Sequence, residues 1–259
     1  MNVPIYSEEV QKGNTPEVLF WVGCAGSFDV RAQAITKAFA AILNKLEINY
    51  AVLGSEEMCT GDPARRAGNE FQFQMLAYQN IHVLNQYQIK KIITTCPHCF
   101  NTFKNEYPEL GGHYEVIHHT TYLQSLMDEG KIVIKDDHPF KDKVVTYHDS
   151  CYLGRNNGIY EAPRHLIQAL NVELREMKRC KKNGACCGAG GAQMFKEEEA
   201  GQIRVNVDRS NEAIETNAEI ISSACPFCNT MLTDGVKLQS KEEHVRVMDI
   251  AEMIIQSMK

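Results

Sequence analysis

No apolar run in this 259-residue sequence approaches the roughly 18–20 residues that a helix needs to cross a bilayer. A helical span is not expected, and attachment to a membrane would have to come from another molecule. The N-terminus, Met1-Asn2-Val3-Pro4-Ile5-Tyr6-Ser7-Glu8-Glu9, has neither the basic start nor the apolar stretch of a secretory signal. The expected location is the cytoplasm, with peripheral contact at the inner membrane only through a partner subunit. Positive charge is scarce as well. With 27 Lys and Arg against 33 Asp and Glu, the net charge is −6, and no basic stripe offers a nucleic-acid surface. A Cys-x-x-Cys-x-x-Cys run is missing. The glycines Gly188 and Gly190 do not begin a dinucleotide fingerprint, because its third glycine falls on Gln193.

What the chain does have is cysteine, ten in all, without a secretory signal. In a reduced compartment, clustered cysteines more often bind metal or do chemistry than form disulfides. Five of them form one constellation: Cys151, then Cys186-Cys187-Gly188-Ala189-Gly190-Gly191, then Cys225-Pro226-Phe227-Cys228. Adjacent thiolates can ligate neighbouring metal atoms. Gly188, Gly190 and Gly191 can adopt positive φ and let backbone N–H groups approach sulfur.

Strand and helix signals alternate along the chain, with buried-strand runs such as Val18-Leu19-Phe20-Trp21-Val22, Lys91-Ile92-Ile93-Thr94-Thr95 and Val144-Val145-Thr146-Tyr147. Between them, residues 30–46, 97–106, 119–129, 161–170, 196–214 and 249–258 read as helices. Another begins at Asp62-Pro63, with Asp62 as its cap, and runs to about residue 85. The order repeats. Cys24 and Cys151 are 127 residues apart, Cys59 and Cys187 are 128, and Cys96/Cys225 and Cys99/Cys228 are 129. That period is too long for a solenoid. The expectation is an α/β fold of two tandem repeats, each a mainly parallel sheet with flanking helices, related by a pseudo-two-fold duplication. Residues 1–16 are expected as a polar N-terminal tail, 17–130 as the first repeat, 131–143 as a linker and 144–259 as the second repeat. On this pairing Met58 takes the place of Cys186, leaving Cys24, Cys59, Cys96 and Cys99 in the first repeat.

All the repeated cysteines fall where a strand ends or a helix begins, where open α/β folds gather their ligands. Pro97 and Pro226 suit the first helical position, so Cys96 and Cys225 would cap helices whose N–H groups face the site. Several alternatives compete. A lone cysteine is usually a small core hydrophobe, and Cys180, which has no counterpart, fits that description. Zinc suits four thiolates but not five. In the first repeat zinc, an ordinary four-iron cluster and a variant cluster all stay open. Cys96-Pro97-His98-Cys99 also looks like a thiol–disulfide redox pair, although such pairs lack partner cysteines upstream.

The pattern Cys151…Cys186-Cys187-Gly188…Cys225-x-x-Cys228 in two tandem copies resembles the cysteine-rich CCG domain proteins, among them the B and D polypeptides of heterodisulfide reductase. The stretches Cys59-Thr60-Gly61-Asp62-Pro63-Ala64-Arg65-Arg66, Cys96-Pro97-His98-Cys99 and His148-Asp149-Ser150-Cys151 look like the C-terminal part of reductases that take electrons from electron-transfer flavoprotein. The resemblance implies a non-cubane [4Fe-4S] cluster on Cys151, Cys186, Cys187, Cys225 and Cys228. It implies a second cluster or zinc on Cys24, Cys59, Cys96 and Cys99. The implied role is an iron–sulfur electron-transfer subunit of an oxidoreductase complex. Its electrons would come from a flavoprotein or a ferredoxin-like, iron–sulfur or haem partner, and a quinone or similar acceptor would take them. A disulfide reductase is a second reading, and a zinc-stabilised interaction module without redox activity a third. Arg65, Arg66 and Arg155 would offset cluster charge or bind an anion, unless they only form surface ion pairs. His98 and His148 would donate hydrogen bonds near sulfur.

Overall fold

The computed structural model describes residues 3–197 and 200–259. Its chain order is α1 (Tyr6–Gln11), β1 (Val18–Trp21), α2 (Gly23–Phe28), α3 (Val30–Lys45), β2 (Tyr50–Ala51), α4 (Asp62–Arg66), α5 (Glu70–Gln86), β3 (Lys91–Thr94), α6 (Pro97–Asn101), β4 (Glu115–His118) and α7 (His119–Asp128). The second half follows with β5 (Val144–Tyr147), α8 (Glu161–Gln168), β6 (Glu173–Leu174), α9 (Val205–Ile214), β7 (Ile220–Ser223), α10 (Pro226–Lys237), β8 (Arg246–Asp249) and α11 (Ile250–Ser257).

The central strands are short apolar runs rich in β-branched residues, buried on both faces because helices cover both sides of each sheet. They form two four-stranded sheets, β2-β1-β3-β4 and β6-β5-β7-β8, in which every pairing is parallel. Both sheets reverse their direction of winding between the two central strands. A crevice therefore opens at the carboxyl ends of β1 and β3, and another at those of β5 and β7. The tandem α/β architecture expected from the sequence is the one observed.

The repeats share a core. Phe39, Leu43 and Leu123 of the first pack in one apolar cluster with Leu166, Met253 and Ile254 of the second. Polar contacts fasten the same face. Arg31 reaches Glu252 Oε1 at 2.9 Å, Asn229 Oδ1 at 3.1 Å and the Val247 carbonyl at 2.9 Å. The buried His119 Nε2 lies 3.1 Å from Asp249 Oδ1.

Several local details add to the expectations or correct them. The N-terminal segment, expected as a tail or a docking segment, contains α1, buries Tyr6, and meets the residue after β2 through the Tyr6 N–H to Val52 carbonyl bond of 2.8 Å. The linker is packed, with Phe140 fully buried and Ile134 bridged antiparallel to Met258. The helix expected from Asp62 to residue 85 is two helices, broken at Gly68 with φ +88°. Gly61 takes the cap position with φ +88°, and Asp62 becomes the first helical residue. The helix expected from residue 196 starts only at Val205, and Glu198 and Glu199 lie outside the described residues.

Candidate metal centres

The thiols gather in the two crevices. In the first, β1 ends at Trp21 and the chain turns through Gly23, φ +78°, which brings Cys24 inward. The carboxylate of Glu57 accepts the N–H groups of Val22 at 3.0 Å and Gly23 at 2.6 Å, which pins that turn. Burial pushes the Glu57 carboxyl up to about 7. β3 delivers Cys96 as the cap of α6, with Pro97 in its first turn, and Cys99 follows inside the helix. Cys24 meets Cys59, Cys96 meets Cys99, and Cys99 feels both Cys24 and Cys59. In the second crevice Cys151 meets Cys186, Cys186 meets Cys187, Cys187 meets Cys228, and Cys225 meets Cys228. The two sets touch, because Cys96 and Cys225 are neighbours across the repeats. Cys180 stands apart, with no thiol among the groups acting on it.

These surroundings suit thiolates. Gly61 N–H donates to Cys59 Sγ at 3.4 Å and Gly188 N–H to Cys186 Sγ at 3.3 Å. The hydroxyls of Thr60 and Ser150 lie 3.8 Å from Cys99 Sγ and 3.6 Å from Cys228 Sγ. The hydrogen bond from Cys24 lowers the Cys59 thiol to about 7, and bonds from Cys151 and Cys187 hold Cys186 well below the thiol range. Their partners are pushed up, because buried thiols this close cannot all ionise side by side. A cationic centre removes that obstacle. The donor set is all sulfur, which suits iron–sulfur clusters or zinc and disfavours hard cations. All ten cysteines are free thiols.

Gly188 is required by geometry. Its φ is +94°, and an added Cβ would crowd Met231 and Val205 at 3.3 Å each. At Gly191 the demand is only conformational, φ +67° with open space around it. Gly190 faces His98, whose Cε1 would lie 4.0 Å from an added Cβ.

The sequence paired Met58 with Cys186, and the geometry overturns that pairing. Met58 is 43% exposed. It is Cys59 that meets Cys24 as Cys186 meets Cys151, and each accepts an N–H from a glycine two residues on with φ near +90°. Both offsets are then 127 residues, from Cys24 to Cys151 and from Cys59 to Cys186. The shared Cys-x-Gly spacing held the signal that would have given this register from sequence.

The two histidines differ. His98 Nδ1 lies 2.8 Å from Asp62 Oδ2, and its ring stacks on Tyr152 at 4.2 Å and meets Phe227 edge-on at 5.4 Å. Burial lowers its basicity, but Asp62 together with the thiolates of Cys96 and Cys186 outweighs burial and the net shift is upward. His148 is buried, which pushes it down to about 3, with Arg209 adding to the effect. It lies with Cys187 and Cys228 in one group whose ligand atoms are within 4.8 Å of each other. The Arg209 guanidinium always donates, so His148 Nδ1 accepts its Nε–H at 3.0 Å and the ring proton sits on Nε2. Nothing in the sequence marked Arg209, fully buried on α9, as part of this site. The other arginines are engaged: Arg65 with Glu106 at 2.8 Å, Arg66 with Asp62 at 3.1 Å and with Glu106, and Arg155 with the Gly184 carbonyl at 2.7 Å.

Comparison with known proteins gives the same picture from outside. The CCG family, described as "Cysteine-rich domain", matches residues 18–104 and again 145–233. The chain is 46% identical over 256 residues to the probable iron-sulfur-binding oxidoreductase FadF of Bacillus subtilis, covering 98% of this chain and 36% of that protein. It is 44% identical to the EtfAB:quinone oxidoreductase of Syntrophomonas wolfei, covering 96% and 35%. It is 35% identical to the D polypeptide of the dihydromethanophenazine:CoB--CoM heterodisulfide reductase of Methanosarcina barkeri, covering 96% and 61%. The chain thus spans about a third of the length of the first two relatives. Among solved structures, a hypothetical protein from Helicobacter pylori shares the fold with a TM-score of 0.61 at 9% identity, covering 94% of this chain and 49% of that one.

Proposed function

Because this chain belongs to the CCG cysteine-rich domain family, whose relatives here are iron–sulfur oxidoreductases, we propose that it is the electron-transfer part of such a complex, with one centre in each repeat. The repeats are assigned to residues 17–130 and 144–259, joined through 131–143. In the second, Cys151, Cys186, Cys187, Cys225 and Cys228 hold a non-cubane [4Fe-4S] cluster, with Gly188, Gly190 and Gly191 as its backbone cradle. In the first, Cys24, Cys59, Cys96 and Cys99 hold an iron–sulfur cluster in preference to zinc. Such clusters supply one-electron transfer when bound.

The chain's own residues do the rest. Burial of Cys96, Cys99, Cys187, Cys225 and Cys228 keeps water from the sulfur atoms. The N–H groups of Gly61 and Gly188 and the hydroxyls of Thr60 and Ser150 stabilise sulfur charge. His148, grouped with Cys187 and Cys228, carries its ring proton on Nε2 because Arg209 donates to its Nδ1. The observation that carries the reading is the contact of Cys96 with Cys225. It supports a sulfur path from one repeat to the other.

The donor is assigned to a flavoprotein or ferredoxin-type partner and the acceptor to a quinone, in keeping with the relative named EtfAB:quinone oxidoreductase. None of the described helices is long and apolar enough to cross a membrane, and contact with the inner membrane is assigned to a partner subunit. A second reading, disulfide reduction, draws support from the likeness to the D polypeptide of heterodisulfide reductase. Turnover of a heterodisulfide with a viologen donor would select it.

Iron, zinc and acid-labile sulfide in anaerobically purified protein test the proposal. About eight irons and no zinc are expected, falling by about half in Cys59→Ser and in Cys186→Ser. About four irons and one zinc, with only Cys186→Ser losing iron, would remove the first repeat from the electron path. A protein without iron would overturn the reading.

A further inference from the structure

Tyr152, the residue after Cys151, belongs to the second repeat but is held by the first. The His98 ring stacks on it with centroids 4.2 Å apart and planes 27° apart. The Arg66 guanidinium lies 5.9 Å from the centroid of the same ring. One carboxylate orients both groups. Asp62 accepts from His98 Nδ1 at 2.8 Å through Oδ2 and from Arg66 Nε at 3.1 Å through Oδ1. The Tyr152 backbone is held as well. Asn157 Nδ2 donates to the Tyr152 carbonyl at 2.7 Å and to Asn101 Oδ1 at 3.1 Å, which ties the turn to the last residue of α6. His98 and Asn101 are both buried on that helix. His98 also meets the second repeat at Phe227, edge-on at 5.4 Å, and Phe227 lies between Cys225 and Cys228. The grip is one-sided. The residue that matches Tyr152 in the first repeat, 127 positions earlier, is Ala25, which has no ring to hold.

We infer that His98, although it stands between two cysteines of the first repeat, is a positioning residue for the centre of the second. Its ring packs on the turn that carries Cys151 and on the turn that carries Cys225 and Cys228. Aromatic pairs prefer particular offsets and tilts, so the packing fixes direction as well as distance. Groups behind the ligands orient them, and here those groups come from the other half of the chain. The part His98 plays is that of a ring set in place by Asp62. The second centre is thereby completed by the first repeat, and the two halves form one site-building unit. The inference rests on the iron–sulfur reading of the second repeat given above. It adds a residue outside that repeat on which its centre depends.

The test uses the whole chain carrying Cys59→Ser, purified anaerobically, so that iron content and electron paramagnetic resonance report the second centre alone. His98→Ala on that background is expected to lower the iron content and to change the shape of the signal, although position 98 lies outside the repeat that binds the cluster. His98→Phe keeps a ring against Tyr152 and is expected to restore both. Asn157→Ala leaves the stack and cuts the tie to α6, and it is expected to shift the signal the same way by less. A merely structural role would lower iron while the remaining centres kept an unchanged signal, and that result would overturn the inference. So would His98→Phe behaving as His98→Ala does, because the ring would then not be what acts. Iron that ignores position 98 sinks this inference alone. A chain without iron before any change at position 98 sinks the proposed function, and this inference with it.

Discussion

Gly61 does two things at once. Its φ of +88° lets its own N–H reach back to Cys59 Sγ, and its bare Cα lets Phe73 close over it. An added Cβ would lie 2.8 Å from the Phe73 ring and 3.2 Å from its backbone. Gly61→Ala is therefore expected to lower stability by about 1–3 kcal/mol and to deplete the first centre of iron. Gly68 is the built-in comparison, with the same φ of +88° and no atom within 4 Å. Gly68→Ala should cost only the conformational part, about 1 kcal/mol, and spare the iron. Denaturant unfolding with iron content on both variants separates strain from crowding. Thr60 shows how residue chemistry hides in a sequence. A threonine next to a cysteine carries no signal of its own. Its meaning comes from the Cys-x-Gly register and from a sulfur 39 positions away.

At the scale of elements, the turn after β5 depends on charge. Asp149, two residues before Cys151, is gripped by Arg164 of α8 through bonds of 2.8 and 2.9 Å and also accepts the N–H of Lys181 at 2.6 Å. Arg164 reaches on to Glu176 at 2.6 and 2.9 Å, and the two carboxylates hold its guanidinium firmly protonated against the opposing effect of burial. Arg164→Met would leave Asp149 buried without its counter-charge. The expected loss is about 3–5 kcal/mol, or about 6–20 °C in Tm by thermal melting.

The central strands were legible because a strand covered on both faces must be apolar along its length, as Ile92-Ile93 and Ile220-Ile221 are. Cys24, Cys96, Cys151 and Cys225 were legible because they follow those strands within a few residues. The break at Gly68 is a local signal, a glycine at positive φ followed by the capping Asn69, whereas the packing of Phe140 and Tyr6 was not legible, because each is decided by partners distant in sequence. Phe140 reads as part of a Lys- and Asp-rich connector until the shared core takes it in.

Across the whole molecule, the seam between repeats carries one buried histidine, His118, whose surroundings disfavour its protonation. His118 and His119 are fully buried, with ring centroids 4.4 Å apart. Burial, reinforced by His119, holds His118 well below the usual imidazole range. The unfolded chain binds a proton there below about pH 6.5 and the folded chain does not, so stability is intact above that pH and is lost on acidification. Denaturant unfolding between about pH 7.5 and 5.5 should show the unmodified chain losing up to about 1.4 kcal/mol per pH unit more than His118→Asn, once below about pH 6.5. Equal slopes would remove His118 from the account.

The contact of Cys96 with Cys225 has an electrostatic consequence. Two unit charges about 10 Å apart at an effective dielectric constant of about 20 interact by about 1.7 kcal/mol. An electron resting on one side of the seam therefore opposes the arrival of the next on the other side. Midpoints that a duplicated backbone would otherwise leave close together are driven apart. With the two proposed centres loaded, the chain would fill in two separated steps and pass charge singly, as a valve does, even from a donor that offers electrons in pairs.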